Sequence, residues 1–290
     1  MNKKKIGGLA LLAAGGVTAL AAAAIPMTPV APSSEPVPGI INDAENYATP
    51  NAAAEQGVRD YIHHCMAAAG FDYTPQDAAA EVDLHANVGF ERLDIAGAKA
   101  NGYASPSSSE PDPASPLGQL FADPAFQVAL NGDPSTADMQ GTKGYGTSTG
   151  GCRGEAATAI YGSMENYALA TVVALNSFSQ ATGSVASDPE LNQIQDQWKA
   201  CMAETAYNGF QTVQEAKDAA LASGGQNEIK IAVTDATCRD EIGLHDQLDQ
   251  IFDRYLTTAM RELEPEIKKV TEIRRIAVEN ATELATSQEK

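Results

Sequence analysis

Toward the C-terminus apolar residues recur at steps of three and four: Leu244, Leu248, Ile251, Phe252, Tyr255, Leu256, Ala259, Leu263, Ile267, Val270, Ile273, Ala277 and Leu284. This spacing predicts one long amphipathic helix entered from Cys238, bent at Gly243 and kinked at Pro265, which removes an internal hydrogen bond. The same period predicts a helix over Ala52 to Ala69, with Val58, Tyr61, Ile62, Cys65 and Met66 on one face and Gly70 as its left-handed stop. A further helix is expected over Phe90 to Ala100, and short ones over Leu117 to Phe121 and Pro124 to Leu130. Cys152 opens a run in which Ala156, Ile160, Met164, Tyr167, Thr171, Leu175 and Phe178 share a face as far as Gly183. Ser187-Asp188-Pro189-Glu190 and Thr212 with Glu215 are helix starts, the first leading into Leu191, Ile194, Trp198, Cys201 and Met202. Ile229 to Ile242 reads as helix, with a short strand over the alternating Ile229, Ile231 and Val233 as the alternative. The expected fold class is therefore all-α, a disulfide-stapled helical domain with a long C-terminal amphipathic helix.

A repeat runs through this pattern. Cys65-Met66 precedes Cys152-Arg153-Gly154-Glu155, and Cys201-Met202 precedes Cys238-Arg239-Asp240-Glu241. Four cysteines allow three connectivities, and the duplicated motif favours pairing within each unit, Cys65 with Cys152 and Cys201 with Cys238. Lys3, Lys4 and Lys5 followed by an uncharged Ile6 to Ile25 run predict a signal peptide over residues 1–24, and hence an oxidising, extracytoplasmic body with no stable membrane span after cleavage. Prolines at 26, 29, 32, 36 and 38 predict a Pro-rich linker over residues 25–50. The body then covers 51–256 and the distal C-terminal helix 257–290. Beyond the leader, 16 basic residues face 38 acidic ones, a balance of −22 that opposes nucleic-acid binding and anionic surfaces.

At Cys65-Met66 through Gly70-Phe71-Asp72-Tyr73-Thr74-Pro75, at Gly151-Cys152 through Tyr161-Gly162, at Trp198 through Cys201-Met202, and at Ala236 through Gly243-Leu244, the chain resembles a family of exported proteins of actinobacteria. Many members of that family are lipoproteins, and their activity is not established. The resemblance covers roughly Ala52 to Leu256 and implies a mostly helical, extracytoplasmic, disulfide-bonded body. It carries no catalytic residues across. The lipid-attachment cysteine of the family is missing after Ile25.

Candidate chemistry is sparse. Gly146-Thr147-Ser148-Thr149-Gly150 matches the G-x-S-x-G nucleophile pattern, with His245 downstream, yet no apolar strand precedes it to build the required elbow. A serine hydrolase using Ser148 is thus the alternative to a non-catalytic protein, as is a purely structural envelope component. His63, His64 and Cys65 are consecutive on a helix and point about 100° apart, so they cannot converge on one metal. His85 and His245 stand alone in the sequence and read as surface or cap residues. Asp246, Asp249 and Asp253 share a face and read as solvated, and Trp198 reads as core. Gly141 to Gly151 lacks the Gly-Lys-Ser/Thr ending of a phosphate cradle. No cofactor and no metal are expected.

The part of the tail beyond Pro265 carries mixed charges and a seam repeating every seven residues. Leu263, Val270, Ile273 and Ala277 are accordingly the expected binding surface for an unknown protein or peptide partner at the cell surface.

Overall fold

The computed structural model describes residues 29–75, 81–103, 114–133 and 150–288, and these contain helices, turns and no strand. In chain order the helices are α1 (Ile40–Ala48), α2 (Ala52–Ala68), a 3-10 turn (Leu84–Val88), α3 (Ile95–Asn101), α4 (Pro116–Ala122), α5 (Pro124–Asn131) and α6 (Gly151–Tyr161). They continue as α7 (Met164–Ala168), a π turn (Leu169–Val173), α8 (Ala174–Asn176), α9 (Ser179–Ala186), α10 (Pro189–Ala203), α11 (Val213–Ser223), α12 (Gly225–Glu241), α13 (Leu244–Glu262) and α14 (Glu264–Gln288). The all-α, disulfide-stapled class holds.

Local chemistry sets many of these boundaries. Asn51, Asp94, Asp188 and Thr212 each accept backbone N–H groups at a helix start, satisfying donors that a first turn leaves open. Gly243 takes φ 61° between α12 and α13, a conformation that glycine adopts without a Cβ penalty. Ile229, Ile231 and Val233 lie within α12, so the strand alternative falls away. The expected helix over Phe90 to Ala100 begins only at Ile95, where Asp94 caps it. The long run expected from Cys152 to Gly183 is broken at Gly162 and again around Phe178, and within it Leu175 is exposed.

Both disulfides join the cysteines of one unit. Cys65 binds Cys152 and Cys201 binds Cys238, each with a Cα–Cα distance of 5.7 Å. The first links α2 to α6 and the second links α10 to α12. Around the second lies a buried polar knot. Asp235 accepts from Trp198 Nε1 (2.7 Å), Tyr103 Oη (2.5 Å), Arg239 Nε (2.8 Å) and Arg239 Nη2 (2.7 Å), while Arg239 Nη1 donates to the Glu91 carbonyl at 2.6 Å. Trp198 is core, as expected, and its indole N–H has a partner there.

Two expectations about the ends of the chain are overturned. Residues 29–50 are not a linker. Ile40–Ala48 is a helix that buries Ile41, Ala44, Tyr47 and Ala48, and the segment before it is fastened to α9 and α13. Proline-rich composition denies a segment hydrogen bonds of its own, but acceptors supplied by a distant helix serve instead. The tail does not offer Val270, Ile273 and Ala277 to a partner either. These three are buried and Leu263 is half-buried, because α14 turns away from α13 at Leu263 and lies along α2, α6 and the π turn. At Gly57 of α2 an added Cβ would come within 2.5 Å of the Ala281 Cβ, so these helices pack at the closeness that glycine permits. A heptad seam states that a partner is needed without saying whether the partner belongs to the same chain.

Candidate functional site

Helix α9 is short, and its two flanks are treated differently by the rest of the chain. On one flank runs the extended N-terminal segment, here called the strap. Val30 N donates to Ser184 Oγ at 2.9 Å, Ser33 N to the Arg254 carbonyl at 2.9 Å, Val37 N to Thr257 Oγ1 at 2.9 Å and Gly39 N to Asp253 Oδ2 at 2.7 Å. Side chains and one carbonyl of α9 and α13 thus take the place of a neighbouring strand.

On the other flank lies an open cleft of about 630 Å³ between α8–α9 and the 3-10 turn. Leu84 and Phe178, both fully buried, form its apolar part, while Glu81, Asp83 and Asn176 stand among its polar lining. Thr182 lines it as well; it is 5% exposed and its Oγ1 has no hydrogen-bond partner. Gly183 lines both this cleft and the one beside the strap, and an added Cβ there would meet nothing within 4 Å.

Behind the cleft the 3-10 turn is joined to α13 by two histidines. His85 is fully buried, and its Nδ1 lies 3.3 Å from Nδ1 of His245. The ring planes are 4° apart with centroids 5.4 Å apart. Rings so far apart whose nitrogens come so close must lie nearly edge to edge, so an N–H···N hydrogen bond joins them and one of the two nitrogens carries the proton. A second proton on that axis would set two N–H groups against each other.

Charges from four parts of the chain surround this pair. His85 Nε2 lies 2.9 Å from Asp249 Oδ1, an ion-pair distance at an angle that leaves both atoms without a directed hydrogen bond. Arg92 Nη1 donates to Glu45 Oε1 at 2.6 Å and Asp83 Oδ1 at 3.1 Å, and Arg92 Nη2 lies 3.9 Å from Asp249. Burial, then the charges of His85, Arg239 and Arg92, push the His245 imidazole down to about 4 against the opposing pull of Asp83. Burial would raise Asp249, but His85 and Arg92 outweigh it and hold the carboxyl below its usual range.

Cys65, Cys152, Cys201 and Cys238 are all bonded. Ser148 and most of the Gly141 to Gly151 stretch lie outside the described residues. His63 turns its Nδ1 to the Tyr73 carbonyl at 2.9 Å and shares no ligand with Cys65. The reading of His85 and His245 as isolated residues is corrected, since they meet across 160 positions. Asp246, Asp249 and Asp253 do not form one solvated face: Asp246 is exposed, Asp249 faces His85, and Asp253 is buried against the strap. Among the described residues no three His, Cys, Asp or Glu side chains are placed to hold a metal ion. Sequence reasoning missed the Asp235–Arg239 pair, although its i, i+4 spacing on one helix was a usable signal. Comparison of the chain with protein-family models, with curated proteins and with solved structures finds no match.

Proposed function

We infer that the protein works outside the cytoplasm, in the cell envelope or the medium, as a non-catalytic protein that binds another protein or a peptide. The observation that carries this reading is the open cleft beside α9, about 630 Å³ in volume, with an apolar floor, a few polar groups and an unpartnered hydroxyl. Two disulfides fit an oxidising setting, and no helix of the described residues is long and apolar enough to cross a membrane. The binding role moves from the tail, whose seam is used up in packing, to the α9 face. No observation favours the hydrolase alternative, for the described residues hold no strand from which a nucleophile elbow could rise.

The test is photo-crosslinking in living cells, with a benzophenone amino acid at Asn176 in the cleft or at Glu283 on the exposed side of α14. A polypeptide adduct formed from position 176 and not from 283, on protein recovered with both disulfides formed, is the expected result. Protein retained in the cytoplasm with reduced thiols, or adducts from neither position, would sink the reading.

A further inference from the structure

The two flanks of α9 can be read against each other. Residues 182 and 184 are two apart on a helix, about 200° around its axis, so their hydroxyls face opposite sides. On the Ser184 side the chain shows what such a hydroxyl does: Ser184 Oγ accepts the Val30 backbone N–H at 2.9 Å while donating to the Gln180 carbonyl at 3.1 Å, and holds an extended segment against the helix. On the Thr182 side the hydroxyl of a residue lining an open cleft is buried with nothing bonded to it.

Two further observations point to an occupant. A glycine inside a helix costs about 1 kcal/mol relative to alanine, and such a glycine is usually explained by a close neighbour. Gly183 has no close neighbour, so what its missing side chain provides is room on both flanks. The cleft is also acidic: among the described residues Glu81 and Asp83 line it and no lysine or arginine does, and because Asp83 is already paired with Arg92, Glu81 carries the charge that is left.

We propose that this cleft binds an extended, basic peptide segment, which donates a backbone N–H to Thr182 Oγ1, lays an apolar side chain over Leu84 and Phe178, and turns a cationic one toward Glu81. The proposal rests on the binding role inferred above and names the ligand class for it. An extended segment suits the site because its backbone leaves N–H groups free along its length for a side-chain acceptor, as the strap does. A basic one suits it because the carboxylate of Glu81, exposed at the rim, repels anions and attracts a cation.

The experiment uses the full-length oxidised protein and fluorescein-labelled acetyl-Lys-Val-Lys-Val-Lys-Val-amide, read by fluorescence anisotropy, with the Glu-Val counterpart as control. Saturable one-to-one binding of the basic peptide only is expected, with affinity falling as salt is raised. Thr182→Val removes one hydrogen bond and should weaken binding about fivefold. Glu81→Gln should weaken it by a similar factor and flatten the salt dependence. Gly183→Phe fills the cleft and should abolish binding, while circular dichroism and thermal melting certify that each variant is folded. Equal binding of both peptides, no binding of the basic one, or affinity unchanged in folded Thr182→Val and Gly183→Phe would overturn the proposal. Crosslinks from position 176 in cells, made by a protein that fails to bind the basic peptide in solution, would overturn the ligand assignment and leave the binding role standing.

Discussion

The two disulfide units share a motif and differ in what they do with it. In both, a half-buried cysteine followed by a buried methionine is bonded to a buried cysteine followed by arginine, over the same Cα–Cα distance of 5.7 Å. In both, a glutamate one turn beyond the buried cysteine comes close to the partner sulfur: Glu155 Oε2 is 3.8 Å from Cys65 Sγ and Glu241 Oε2 is 3.6 Å from Cys201 Sγ. The arginines diverge. Arg153 is exposed and donates to Asn131 Oδ1 at 2.9 Å, whereas Arg239 is 1% exposed and fully paired. Three residues before the half-buried cysteine stands Ile62 in one unit and Trp198 in the other, and only the tryptophan has an N–H to give to a buried carboxylate. The repeat therefore specifies a clamp, while its neighbours decide whether the arginine is a surface group or the centre of a polar core. A buried charge is tolerated only when every donor is met, as around Asp235.

Removing the clamps should give the largest losses. The loops closed span 87 and 37 positions, for which loop entropy assigns about 4.6 kcal/mol to Cys65–Cys152 and about 3.8 kcal/mol to Cys201–Cys238. Urea unfolding of the two double-alanine variants checks this; a greater loss at the shorter loop would show that packing around Asp235 outweighs chain closure. Next, Asp235→Ala leaves Arg239 charged and unpaired in the core and should cost about 3–5 kcal/mol, against less than about 0.5 kcal/mol for Arg153→Ala. Similar urea midpoints for these two variants would erase the distinction between the units.

The histidine pair supplies a third test, in pH. His245 binds its proton less readily when folded, at about 4, than in an unfolded chain near 6.5. Its contribution is therefore complete above about 6.5 and is lost as pH falls toward 4, by as much as about 3 kcal/mol. His245→Gln should flatten that part of the urea-midpoint curve, and an unchanged slope would show that the pair does not govern acid stability. The smallest effect belongs to the glutamates. Glu155→Gln and Glu241→Gln should each speed reduction by the anionic thiol glutathione by at most about fivefold, with less change for cationic cysteamine, because a carboxylate beside the sulfur repels an incoming thiolate. Equal acceleration by both thiols would point to access instead of charge.

How much of this was legible in the sequence depended on the range of the cause. Helix positions followed from local period and caps, as at Thr212 with Glu215 and at Asp188, and the clamps followed from the repeat. Asp235 with Arg239 could have been read from one helix. What stayed hidden was carried by residues far apart: His85 against His245, and Val37 held by Thr257 across 220 positions. Leu263, Val270, Ile273 and Ala277 were legible as a seam, but its cover came from α2 and α6, which the tail sequence cannot name. The cleft on α9 left one local trace, the glycine at 183, which gains meaning only once its surroundings are known to be empty.

The strap has a consequence for how the chain is made. A ribosome releases Val37 and Gly39 more than two hundred residues before their acceptors Thr257 and Asp253 exist. A nascent fragment ending before α13 therefore lacks the acceptors of Ser33, Val37 and Gly39 and the α13 face on which α1 packs, and keeps only such earlier contacts as Val30 on Ser184 and Tyr47 on Phe178. Completion waits for the last part of the product, so premature termination should yield protease-sensitive chains instead of a smaller stable domain.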